Sequence, residues 1–308
     1  MGVQTRIALY ASDESTATHA AAEAFDVIGR LDAMMSDYRA DSELSQLPRL
    51  AVDRSTSVPD DLFHVLDFSQ RVALQSDGAF DVTIGPLVAQ WRKARQSGVL
   101  PTHTERDAAM NRVGWRLLHV DSSTRTVRLE SEAMRLDLGG VAKGYAAQRA
   151  VDQLSAHGFS RCLVALAGDV VAGDPPPDQN GWVVEMPHAE DGEHPRRIIL
   201  ANAAISTSGD TEQFITIDGI RYSHIVDPRT GLGMTDHRTV SVIAPRGEVA
   251  DAMSTALCVL GRDGVNRLIQ HYPGTAVIIR DDQSQPLIHD PDNRINWLRS
   301  ITRSPNHN

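Results

Sequence analysis

Asp251 and Thr255 stand four residues apart in Ala250-Asp251-Ala252-Met253-Ser254-Thr255, so a helix would carry both on one face. A carboxylate and a hydroxyl at that spacing are oxygen donors suited to a hard cation such as Mg2+, which completes its shell with carbonyls, water and substrate phosphate. A plainer reading is also open, in which Asp251 serves the start of the helix as a cap. The densest glycine signal is Asp137-Leu138-Gly139-Gly140-Val141-Ala142-Lys143-Gly144-Tyr145, a strand end running into a helix. Small residues there let backbone amides approach a ligand, and a helix N-terminus favours an anionic one. The spacing is neither GxGxxG nor the Gly-Lys-Ser/Thr of a P-loop, so a phosphate cradle and a tight strand-to-helix turn are both open.

Ile205-Ser206-Thr207-Ser208-Gly209-Asp210, followed by Tyr222-Ser223-His224-Ile225-Val226-Asp227-Pro228-Arg229-Thr230-Gly231, gathers hydroxyls, an imidazole and carboxylates in a short span. Alone, Asp227 to Gly231 is a turn and a histidine on a β run is a structural residue. The density of reactive groups is what makes His224 a candidate base. Ser76 to Leu87 sets Phe80 and Asp81 beside Thr83 in a turn, which loop chemistry with Phe80 as an anchor also explains.

The elements that must hold these residues follow from periodicity. Residues 3–10 alternate as a strand, and 14–36 carry Ala22, Phe25, Ile28, Leu31, Met34 and Met35 at helical spacing. A polar turn from Tyr38 to Leu47 leads through Val58-Pro59-Asp60-Asp61 to a helix over 60–76 that stops at Asp77-Gly78. Residues 103–112 read as a short helix, and 115–121 with 125–130 as a hairpin. A further helix begins after Gly140 and ends at His157-Gly158. Short β runs then cover 161–167, 181–187, 195–201, 203–207, 213–217 and 238–244. Helices over 248–260 and 262–271 precede a last hairpin at 275–280 and 285–289. Helices early and strands late, without βα alternation, predict an α+β fold. No linker divides the chain, so one domain over 1–297 with a polar tail over 298–308 is expected.

Thirty Lys and Arg against 40 Asp and Glu in 308 residues give a net charge of −10, with 41% hydrophobic residues. This is a globular composition, long enough to bury a substantial core. The acidic balance and the absence of a basic, aromatic-rich run argue against a nucleic-acid partner. Apolar stretches break well before the ~20 residues a membrane helix needs. The N-terminus shows no signal peptide, which predicts a cytoplasmic protein as written, or a periplasmic one if a signal has been removed. Cys162 and Cys258 lie in apolar runs without CxxC spacing and read as buried thiols.

Taken in order, these clusters resemble the ApbE family, the FAD:protein FMN transferases formerly described as thiamine biosynthesis lipoproteins. The resemblance runs from Met34-Met35-Ser36-Asp37-Tyr38 and Asp41-Ser42-Glu43-Leu44 through Gly78-Ala79-Phe80-Asp81 and Asp137 to Tyr145. It continues through Ala167-Gly168-Asp169, Thr207-Ser208-Gly209-Asp210, His224 to Gly231, and Ala250 to Thr255. It implies an α+β fold related to the T-fold, with FAD as substrate and Mg2+ as cofactor. The implied reaction moves FMN to a Thr or Ser hydroxyl of a target flavoprotein and releases AMP. By position, the resemblance implies that Met35, Ala79, Phe80, Asp81, Asp137, Lys143 and Ile225 line the flavin nucleotide site. It likewise implies that the Gly140 carbonyl, Asp251 and Thr255 hold the metal, and that His224 deprotonates the incoming hydroxyl.

Four positions depart from the family pattern: Ala165 and Ala167 where Asn and Gly are usual, Gln148 where Asp is common, and Thr211 where an aromatic is common. Two other functions fit the same residues: an FAD pyrophosphatase, in which water replaces the acceptor, and a non-catalytic flavin-binding protein. The joint presence of Asp251, Thr255 and His224 argues against the second.

Overall fold

Strands with alternating apolar side chains build a seven-stranded sheet whose two faces are both covered. The computed structural model describes residues 2–186, 196–209, 214–282 and 285–298. Within these, the helices are α1 (Glu14–Met35), α2 (Glu43–Leu50), α3 (Asp60–Gln75), α4 (Gly85–Ser97), α5 (His103–Met110), α6 (Ala142–Ala156), α7 (Gly247–Leu260) and α8 (Val265–Ile269). The strands are β1 (Thr5–Leu9), β2 (Thr56–Ser57), β3 (Leu118–Asp121), β4 (Thr126–Leu129), β5 (Cys162–Leu166), β6 (Asp169–Ala172), β7 (Trp182–Glu185) and β8 (Arg197–Leu200). They continue as β9 (Ala203–Gly209), β10 (Phe214–Ile217), β11 (Ile220–Ser223), β12 (Val226–Asp227), β13 (Leu232–Gly233), β14 (Thr239–Ala244), β15 (Ala276–Arg280) and β16 (Leu287–His289).

The large sheet has the order β1-β5-β6-β9-β14-β15-β16, and every neighbouring pair is antiparallel. Its period of two sorts the side chains. Val164, Leu166, Val240, Val242, Val277 and Ile279 join the main core with α1, α3, α6 and α7. Ile205, Ile243, Ala276 and Ile278 point to the other face, where they meet Val184, Ile198 and Leu200 of the β7-β8 pair. A third cluster packs Leu87, Trp91 and Ala94 of α4 against Tyr222 and Val226. The α+β class expected from the sequence is what the chain adopts. Among the described residues no helix is long and apolar enough to cross a membrane.

The structure departs from the expected elements at identifiable places. The polar turn over 38–47 is partly helix: Ser42 Oγ caps α2 by accepting the Ser45 amide at 3.0 Å, and Leu44 and Leu47 are buried. Helix α4 had no counterpart among the expected elements. Pro86 sits in its first turn, Gly98 ends it at φ +71°, and Leu87, Trp91 and Ala94 recur at helical spacing. Residues 262–271 form a 3-10 turn followed by the short α8, and Trp115–Leu117 is a 3-10 turn ahead of β3. Residues 299–308 of the expected tail, with Asp210 and Thr211, lie outside the described residues.

Candidate functional site

Helices α6 and α7 cross at two glycines. A Cβ built on Gly144 would lie 2.2 Å from Gly247 O, and one on Gly247 would lie 2.1 Å from Gly144 O. Only glycine permits this approach. As a consequence the Gly144 amide donates to Asp251 Oδ2 at 3.0 Å. The Gly247 amide, a first-turn donor without an intrahelical partner, donates to Gln148 Oε1 at 3.0 Å. Gln148, one of the positions that depart from the family pattern, therefore ties the start of the helix bearing Asp251 to α6.

Asp169 opens β6 directly opposite Ser206 on β9, and the Ser206 hydroxyl donates to Asp169 Oδ1. On the same face of β9 the Ser208 hydroxyl lies 2.8 Å from Ser254 Oγ and 3.4 Å from Thr255 Oγ1. Lys143 reaches from α6 into this group. Its Nζ is 3.1 Å from Asp169 Oδ2 and 3.5 Å from Asp251 Oδ2, and it donates to Gly139 O at 3.0 Å. The Asp169 and Asp251 side chains are 5% and 2% exposed. Burial, joined by the Asp169 charge, pushes the Asp251 carboxyl well above the ordinary carboxylate range, against the pull of Lys143 and the Gly144 amide. Burial acts to lower the Lys143 ammonium, but Asp251 and Asp169 outweigh it and hold it above its usual range.

Gly140 is wedged between the third turn of α7 and an aromatic ring. A Cβ on it would meet Thr255 Oγ1 at 2.9 Å and Phe80 Cε2 at 3.3 Å. Asp137 organises the loop before it: Oδ1 accepts the Gly139 amide at 2.8 Å, and Oδ2 takes Arg92 Nη2 at 3.3 Å. Burial and the nearby Asp37 raise the Asp137 carboxyl, while Gly139, Arg92 and Lys143 oppose them. Arg92 also donates to Asp37 Oδ2 at 2.5 Å and lies 4.0 Å over the Tyr38 ring, which joins the end of α1 to this loop. The Asp81 carboxylate accepts the Thr83 amide and hydroxyl at 2.8 and 2.7 Å.

All eleven residues singled out from the sequence line one cavity of about 450 Å³: Met35, Ala79, Phe80, Asp81, Asp137, Gly140, Lys143, His224, Ile225, Asp251 and Thr255. Asp251 lies deep within it. His224, in the bend between β11 and β12, is exposed, and the Ile225 amide beside it donates to Ser223 Oγ at 3.1 Å. Arg92, Asp169, Ser206 and Ser208 also line the cavity. None of these four has a role legible in the sequence alone. Asp169 and the serines were inside the noted motifs, whereas Arg92 offered no signal beyond following Trp91 on an unrecognised helix. Of the departures from the family pattern, Ala167 sits at φ +50°, a left-handed conformation that favours glycine.

The donors around Asp251 and Thr255 are all oxygens, and no group of three His, Cys, Asp or Glu comes together among the described residues. A carboxylate and a hydroxyl fit a hard cation that keeps water and phosphate in its shell, and do not fit a soft metal.

Residues 1–279 match the model of the ApbE family. A FAD:protein FMN transferase of Treponema pallidum is 32% identical over 292 residues, which cover 89% of this chain and 80% of that protein. One from Klebsiella pneumoniae is 30% identical over 285 residues, 90% of this chain and 81% of that protein. Among solved structures, the flavin transferase ApbE from Vibrio cholerae superimposes with a TM-score of 0.82 at 25% identity, covering 96% of this chain and 95% of that one. The ApbE protein from Thermotoga maritima gives a TM-score of 0.81 at 26% identity, covering 93% and 94%. With the family model matching nine-tenths of its length and the ordered motifs gathered in one cavity, the chain belongs to the ApbE family.

Proposed function

We propose that this chain is an FAD:protein FMN transferase, moving the FMN moiety of FAD to a Thr or Ser hydroxyl of a target flavoprotein and releasing AMP. The observation that carries the reading is the convergence of nucleotide, metal and base candidates from five separate stretches of sequence on one cavity of about 450 Å³, a size suited to a cofactor-like ligand. The names of the T. pallidum and K. pneumoniae relatives support it.

Asp251, Thr255 and the Gly140 carbonyl would hold Mg2+, which supplies charge neutralisation at the pyrophosphate. The glycines at 139 and 140 let the backbone approach the nucleotide, and Phe80 and Met35 offer apolar wall to the flavin. The incoming hydroxyl oxygen bonds to the flavin-side phosphorus as the bridging P–O bond breaks, and AMP leaves with the bridging oxygen. A ring nitrogen of His224 takes the hydroxyl proton. That group suits the task because imidazole titrates near neutral pH, and its exposure leaves it open to a protein substrate.

The test is incubation with FAD, Mg2+ and an acceptor carrying a Thr in a flavinylation motif. Covalent flavin fluorescence on the denatured acceptor, with one AMP per flavin, is expected. FMN and AMP without a labelled acceptor would instead indicate a pyrophosphatase, and FAD binding without either product a flavin-binding protein.

A further inference from the structure

Of the 30 basic residues in the chain only two are lysines, Lys93 and Lys143. Lys93 projects from α4 with its side chain 78% exposed. Lys143 is the one placed among buried carboxylates, where a compact ammonium fits and the flat, five-donor fork of arginine would not. Its three hydrogens are matched by three oxygens: Gly139 O at 3.0 Å, Asp169 Oδ2 at 3.1 Å and Asp251 Oδ2 at 3.5 Å. These are the donors a hard cation takes, and Asp251 is the one carboxylate assigned above to the metal.

Two buried carboxylates near one another repel and tend to take up a proton unless a cation lies between them. Lys143 supplies that cation from within the chain. A divalent ion on Asp251 would meet a like charge at close range, so ammonium and metal compete for the same oxygen.

We propose that Lys143 is the resident cation of this cage: it lies between Asp251 and Asp169 in the unliganded protein, offsets one of their two charges, and releases Asp251 when a divalent ion binds there. The proposal rests on the metal reading of Asp251. Lys143 then has a second task besides lining the nucleotide cavity, since it reduces the repulsion between the two carboxylates and sets how tightly the metal is held.

Two lysines make the exchange directly observable. Protein labelled with 13C at lysine Cε should give two methylene signals, assigned with Lys93→Arg. Mg2+ brought to saturation, as judged by calorimetry, should shift the Lys143 signal and leave that of Lys93 in place. In the absence of FAD, Lys143→Met should bind Mn2+ at least about tenfold more tightly than the wild type. Lys143→Gln, which keeps polar donors for Gly139 O, serves if the methionine variant does not fold. The exchange is overturned if Asp251-dependent binding leaves the Lys143 signal unmoved, or if both variants bind Mn2+ no better than the wild type. The metal reading then still stands. If neither ion binds in an Asp251-dependent way, with or without FAD, the metal reading falls and takes the exchange with it.

Discussion

Asp81 Oδ2 accepts the backbone amide of Trp115 at 2.9 Å, so the turn that forms one wall of the cavity is tied to the approach to β3, 34 residues later in sequence. The same carboxylate binds Thr83 twice through Oδ1, and Thr83 Oγ1 in turn accepts the Gly114 amide at 2.8 Å. Four donors thus converge on two adjacent side chains, and Asp81 is only 7% exposed. Burial raises its carboxyl while these hydrogen bonds lower it.

An Asp81→Asn variant keeps the shape and puts an amide donor against either the Thr83 or the Trp115 amide. A buried donor left facing a donor costs about 1–3 kcal/mol. Urea unfolding should show that loss, and calorimetry should show weaker FAD binding, since Ala79 and Phe80 are held by this turn. Unchanged stability and affinity would make the turn independent of the carboxylate.

The glycine crossing of α6 and α7 gives a sharper expectation. Gly144→Ala would drive a methyl to within 2.2 Å of Gly247 O and 2.7 Å of Asp251 Cβ. Backbone cannot yield locally there, so the helices must separate at a cost of about 1–3 kcal/mol or more. The Gly144 amide is then pulled from Asp251. Thermal unfolding should show a large fall, and Mg2+ dependence measured on the surviving folded protein should shift to higher concentration. A variant with wild-type melting would mean that the crossing is looser than the structure shows.

Much of this site was legible because its pieces are locally encoded. Asp251 and Thr255 announce themselves by helical spacing, and Gly139 to Lys143 by a glycine-rich entry to a helix. Arg92 was invisible because its partners Asp37 and Asp137 are 55 and 45 residues away, and nothing in Gln90-Trp91-Arg92-Lys93 points to either. Asp169 carried no role because its meaning comes from the sheet: the β6-β9 register sets it opposite Ser206, and α6 brings Lys143 across. Helix α2 was hidden because Asp41-Ser42-Glu43 and Ser45-Gln46 make this stretch read as a polar turn, although Leu44 and Leu47 bury one face of it.

Ala167 holds φ +50° in the turn between β5 and β6. A Cβ in the left-handed region costs about 1–2 kcal/mol, while replacing alanine with glycine loosens the unfolded chain by about 0.4–1 kcal/mol. Ala167→Gly should therefore be neutral or slightly stabilising, the reverse of the usual sign. Differential scanning calorimetry would contradict this by showing a melting temperature several degrees lower.

The two cysteines should be silent in the native protein. Burial pushes the Cys162 thiol up to about 11, so at pH 8 only about one molecule in a thousand carries the thiolate that reacts. Cys258 is 3% exposed, and its thiol donates to Ser208 O at 3.3 Å. A raised thiol pKa keeps the neutral form through the physiological range, and reactivity should climb only as pH approaches 11. An aromatic disulfide reagent at pH 8 should release no thiol from native protein and two after denaturation. A fast native equivalent would show that one of the pockets opens.

His224 should serve the acceptor hydroxyl and not the nucleotide. It lines the cavity from an exposed bend, whereas the proposed metal ligand Asp251 is almost wholly buried. A Thr or Ser hydroxyl is a poor nucleophile at neutral pH, and loss of a positioned base lowers such a step by about 10²–10⁴-fold. His224→Ala should thus keep FAD affinity and Mg2+ dependence while transfer to an acceptor falls by that range. Slow release of FMN and AMP should persist, because water can attack the pyrophosphate without this group. The decisive comparison is FAD affinity and transfer rate in one preparation. Lost affinity with unchanged chemistry would make His224 a binding residue, and an unchanged transfer rate would leave it a structural residue of the β11-β12 bend.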